Sequence, residues 1–135
     1  PWDLDISFAG FPMMGSVSQQ VNMDLVKLSH YRVRLVDRLL AIPEIQARYR
    51  ALVAEIAEGA FARDKLLADL AGMEKATREP LALEQKAKEA RKEKADRFGA
   101  WVTGFFDAQP EMRRFIERRT SAVRKQVATM KGADK

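Results

Sequence analysis

Pro1-Trp2-Asp3-Leu4-Asp5-Ile6-Ser7-Phe8-Ala9-Gly10-Phe11 is the stretch whose reading decides the fold, because almost everything after it has the periodicity of helix. In an extended chain, side chains alternate between two faces, so Trp2, Leu4 and Ile6 point one way and Asp3, Asp5 and Ser7 the other. Two carboxylates then share one side of a strand, about 7 Å apart along the backbone. Such a pair suits a hard cation such as Mg2+, which takes one or two carboxylates together with phosphate oxygens. Asp-x-Asp is equally the pattern of a strand end whose aspartates face water or cap a turn, so the motif alone leaves both readings open.

Working outward, Gly10, Pro12, Gly15 and Ser16 interrupt any regular pattern, and residues 9–23 are expected to form a loop. Met13 and Met14 within it either form a flexible lid or serve as ordinary apolar filler. A first helix is expected from about Asp24 to Ala41, with Asp24 as its cap and Leu28, Tyr31, Leu35, Leu39 and Ile42 at spacings of three and four. His30, the single histidine, has no partner motif and is assigned no chemistry. Pro43 and Glu44 suit the first turn of a second helix, which runs to about Glu58 and ends at Gly59. Its apolar face is Ile45, Tyr49, Leu52, Val53 and Ile56.

A third helix starts near Arg63 or Asp64 and turns Leu66, Leu67, Leu70 and Met73 towards the core, and Pro80 is expected to kink or divide it. From Glu84 to Arg97 the chain is dense in charge, with Glu84 and Lys88 spaced to pair, and reads as a solvated helix or a protruding arm. Phe98, Trp101, Val102, Phe105 and Phe106 fall at i, i+3, i+4, i+7 and i+8, the stripe of a core helix rather than a cofactor box. Pro110 and Glu111 open the last helix, whose inner stripe is Met112, Phe115, Ile116, Val123, Val127 and Met130. Arg113, Arg114, Arg118, Arg124, Lys125 and Lys131 lie largely outside that stripe. Arg119 falls closer to it, as a buried or cleft-lining arginine would, and the tail from Gly132 is expected to fray.

The fold class that follows is mainly α: a short amino-terminal strand and loop, then a bundle of about five helices. As domains this reads as a single helical subdomain over 1–135, with strand and loop in 1–23, helices in 24–131 and a frayed tail in 132–135. Its 135 residues suffice for one core, and 47% hydrophobic with 32% charged residues excludes a wholly disordered chain. Without cysteine there is no disulfide and no thiolate metal site. No apolar run approaches the roughly 20 residues of a membrane-spanning helix. The first residue is Pro1 rather than Met, inside a strand pattern, so the chain is expected to be a piece of a longer protein.

Net charge is +5, yet residues 1–30 hold Asp3, Asp5 and Asp24 against Lys27, an acidic start that can attract a cation. The segment from Glu111 to Lys135 is strongly basic. Nucleic acid is not expected as a partner: the charged segment up to Arg97 mixes six basic with four acidic residues and has no aromatic to stack on bases.

Three stretches together suggest a family. Pro1-Trp2-Asp3-Leu4-Asp5-Ile6-Ser7-Phe8, then Leu39-Leu40-Ala41-Ile42-Pro43-Glu44-Ile45-Gln46-Ala47-Arg48-Tyr49, and finally Phe115-Ile116-Glu117-Arg118-Arg119-Thr120-Ser121-Ala122-Val123 resemble the carboxy-terminal part of a CotH protein, one of the spore-coat-protein-H-like atypical kinases. The resemblance implies the helical part of a kinase large lobe, ATP as phosphate donor and serine of a partner protein as acceptor. It makes Asp3 and Asp5 the residues that hold Mg2+ on the nucleotide phosphates, in the manner of the Asp-Phe-Gly element of protein kinases. Here the glycine arrives one residue later, as Phe8-Ala9-Gly10. The family's nucleotide clamp and catalytic aspartate are expected upstream of Pro1, so the isolated chain is expected to be inactive. A cell-envelope, spore-coat or secreted setting is also implied by resemblance alone. The alternative reading is a non-catalytic helical interaction or scaffold module, with the charged arm and basic last helix docking an acidic partner.

Overall fold

A computed structural model of the chain describes Phe8 and residues 15–27, 33–91 and 111–132. The described residues form five helices and no strand: α1 (Val17–Val21), α2 (Arg34–Leu40), α3 (Pro43–Glu58), α4 (Arg63–Arg91) and α5 (Met112–Gly132). The protein is therefore mainly α. The expected opening strand, with Asp3 and Asp5, lies outside the described residues, as do His30, Met13, Met14 and the aromatic stripe from Phe98 to Phe106.

The organising element is α5. Its sequence puts Phe115, Ile116, Thr120, Val123 and Val127 on one face, and all five are buried; the other buried side chain among the described residues is Val21 of α1. Thr120 is the one polar member, and it is accommodated because its hydroxyl donates back to the Ile116 carbonyl at 2.8 Å. α1, α3 and α4 each pack on α5, while α2 packs on α3. Met112 and Met130, the two ends of the expected stripe, are only half-buried.

Two boundaries differ from expectation. Within residues 9–23, expected to be a loop, lies α1, and its start is specified locally. Ser16 Oγ accepts from the Gln19 amide at 3.3 Å, and the Gln19 side chain accepts from the Ser16 amide at 2.7 Å, a capping box. Gly15 precedes it at φ +97°, a left-handed backbone that favours glycine, and an added Cβ would also displace the Gln19 side chain, whose Oε1 would lie 2.8 Å away. The helix expected from Asp24 does not begin there: residues 24–27 are non-helical and α2 starts at Arg34. Asp24 still caps, but it caps a turn, its carboxylate accepting from the Val26 and Lys27 amides at 2.7 and 2.8 Å.

α3 begins at Pro43 and gives way at Gly59 as its sequence indicates. Pro80 does not divide α4, which runs through it for 29 residues. Lys88 and Glu84 pair at 2.9 Å. Every side chain from Ala71 to Arg91 is exposed, so the second half of α4 is an arm standing in solvent. Arg63 and Glu117 at 3.0 Å, and Arg113 and Glu74 at 2.9 Å, join α4 to α5 in antiparallel order. These exposed pairs set alignment more than stability.

Candidate functional site

The site is built where the chain after the opening stretch meets α5. Phe8 has φ +53°, a left-handed backbone that a non-glycine residue adopts only when its surroundings hold it there. Its ring meets that of Phe115 edge to face, with centroids 6.3 Å apart and planes at 82°. Phe8, three residues after Asp5 in sequence, is thereby anchored to the buried face of α5.

A second anchor follows α1. Arg119 is half-buried, and its Nη1 donates to the Val21 carbonyl at 2.9 Å and to the Met23 carbonyl at 2.7 Å. Gln126, two helical turns on, donates to the same Met23 carbonyl at 3.2 Å and accepts from the Leu25 amide at 2.9 Å. Tyr49 of α3 donates its hydroxyl to the Leu25 carbonyl. Past the end of α1 the Asn22 and Met23 amides bond back to the Ser18 and Gln20 carbonyls, and three side chains from two helices take up the Val21, Met23 and Leu25 carbonyls and the Leu25 amide.

The electrostatics follow from this packing. Burial pushes the Arg119 guanidinium below its ordinary value. Burial raises the Tyr49 phenol, and the nearby Asp24 carboxylate adds to the rise. The Lys27 amide, followed by that of Val26, holds the Asp24 carboxyl below the usual aspartate value.

An open cleft of about 380 Å³ lies beside this second anchor, lined by Val21 and Asn22 at the end of α1 and by Glu117, Arg118, Ser121, Ala122 and Lys125 of α5. Val17 and Ala122 pack around Val21 and Phe115 at its base. Among the described residues no three acidic or histidine side chains gather as metal ligands, and no helix is long and apolar enough to cross a membrane.

Of the expected site residues, Asp3 and Asp5 lie outside the described residues. Arg119, foreseen as close to the inner stripe of the last helix, is the cation that ties down residues 21–23. Gln126 and Tyr49 were not foreseen as anchors; nothing in their sequence spacing announces a hydrogen bond to a loop distant in the chain. The capping box of α1 did have a readable signal, Ser16-Val17-Ser18-Gln19.

The helical scaffold stands beside one finding of sequence comparison. A family model described as CotH kinase protein matches residues 1–123. The chain belongs to the CotH kinase protein family, and at that level it is kinase-like. No curated protein and no solved structure matches it.

Proposed function

We propose that this chain is part of a protein kinase that transfers phosphate from ATP to serine of a partner protein, and that Asp3 and Asp5 are its metal-holding residues. The single observation that carries this is the family match, which includes the Trp2-Asp3-Leu4-Asp5 stretch and runs on through α5 to Val123. The donor chemistry fits: two carboxylates are the hard oxygen ligands that Mg2+ accepts beside phosphate. Asp3 and Asp5 would hold Mg2+, which would supply positive charge against the phosphates during transfer. The chain's own contribution is positional. Phe8, held on Phe115, and residues 21–25, held by Arg119, Gln126 and Tyr49, bracket the segment that follows the aspartates and tie it to a rigid helix. In this reading the 135 residues act as one helical subdomain, with the helices as scaffold and the phosphates met at Asp3 and Asp5.

The test is phosphate transfer by the whole kinase of which this chain is proposed to be part, to a serine-containing substrate with Mg-ATP, together with its thermal stabilisation by Mg-ATP. Asp3→Ala and Asp5→Ala should each abolish transfer and the thermal shift, while the helical signal in far-UV dichroism stays unchanged. Full transfer by both variants would remove Asp3 and Asp5 from the site.

A further inference from the structure

α5 carries a charge pattern that neither the core nor the phosphotransfer reading uses. Arg114, Arg118, Ser121 and Lys125 recur at i, i+4, i+7 and i+11, one straight stripe opposite the buried face, and all four are exposed. Among the other charges of the helix, Arg113 pairs with Glu74, Glu117 with Arg63, and Arg119 with two carbonyls, while Arg124 is exposed to one side of the stripe. No ion pair joins Arg114, Arg118 or Lys125 to an acidic group among the described residues. Arg118 and Lys125 also line the cleft beside α1, and by helix rise their Cα atoms stand about 10 Å apart.

We infer that this stripe and cleft form a docking groove for an acidic, extended segment of a partner protein. Charge complementarity selects the sign of the partner, and the remaining observations select its class. A continuous phosphate backbone would bring charge against Glu117 on the cleft rim and would find no aromatic ring among the cleft residues to stack on. An anionic membrane would need large apolar side chains exposed beside the basic stripe, and those of α5 are buried or half-buried. A peptide can place two carboxylates at Arg118 and Lys125 and leave a neutral residue opposite Glu117. In an extended segment, acidic residues at alternate positions share one face about 7 Å apart, a spacing that the long arginine and lysine side chains accommodate.

The probe is a fluorescein-labelled peptide alternating glutamate and serine, with the lysine–serine peptide as control and duplex DNA as competitor, read by anisotropy on the whole chain. The glutamate peptide should bind, and binding should weaken as salt rises. The double variant Arg118→Glu with Lys125→Glu should weaken it by about tenfold or more. Thermal melting of that variant should stay unchanged, because both side chains are exposed. The inference is overturned if the two peptides bind alike, if binding survives the double charge reversal, or if duplex DNA binds more tightly than the peptide and loses its affinity in the same variant. None of these outcomes bears on Asp3 and Asp5, so failure of the groove and failure of the phosphotransfer reading are distinguishable.

Discussion

Arg119 shows how much one side chain can organise in a small helical protein. It is half-buried, and it spends its charge on backbone carbonyls that have no other strong donor nearby except Gln126. Arg119→Met keeps the apolar stem but leaves the Val21 and Met23 carbonyls short of a donor, and should cost about 2–3 kcal/mol, read as a lower urea midpoint. A loss under about 0.5 kcal/mol would mean that water replaces the guanidinium without penalty. Asp24 makes a pH-dependent contribution. Its carboxyl is held below the ordinary value of 3.8 by the Lys27 and Val26 amides, so the native state favours the ionised form. For a depressed carboxyl the stabilisation is present above the unfolded value and disappears as pH falls through the folded one. The stability difference between the protein and Asp24→Asn, which keeps an acceptor but cannot ionise, should therefore hold at neutral pH and shrink below pH 3.8. A difference that stays constant down to strong acid would assign no role to the charge.

At the scale of elements, α5 and the arm of α4 are opposites. α5 places five side chains in the core, whereas α4 from Ala71 onward keeps Met73, expected to turn towards the core, and Leu81 and Leu83 about 60% exposed. Phe115→Ala removes the ring that both fills the core and holds Phe8, and should cost about 3–5 kcal/mol by the usual price of a large-to-small core change. Leu83→Ala, with 59% of its side chain already in water, should leave the melting midpoint within experimental error. A large loss from Leu83→Ala would show that the arm is covered in solution. Much at this scale was readable in advance. Pro43 and Gly59 mark the ends of α3 because one needs no amide donor in the first turn and the other ends the helical run. Of the two outcomes expected at Pro80, a kink or a division, the division does not occur, and α4 continues through it. The sequence spacing puts Leu35 and Leu39 on one face of α2 and Ile45, Leu52 and Ile56 on one face of α3, and all five remain exposed. Periodicity says which side chains share a face, and only a neighbouring element buries it.

At the scale of the whole molecule, the contacts that matter most join segments about a hundred positions apart, as in the Leu25 amide to Gln126. Val21 to Leu25 and α5 should therefore open as one cooperative unit, while the arm from Leu81 to Arg91 exchanges its amide hydrogens independently and faster. Protection of the arm equal to that of α5 would contradict that division. The sequence by itself determined the mainly helical class, the inner face of the last helix and the family, because helical periodicity, capping residues and the ordered motifs from Trp2 to Val123 are local patterns. It also marked Asp3 and Asp5 as a carboxylate pair. What only the tertiary structure decided is where those patterns meet: Phe8 on Phe115, Arg119 and Gln126 on the backbone of residues 21–25, and the bare basic stripe beside the cleft. Contacts between distant segments depend on how helices pack, and a stripe is bare only once the packed structure has shown which of its neighbours carry compensating charge.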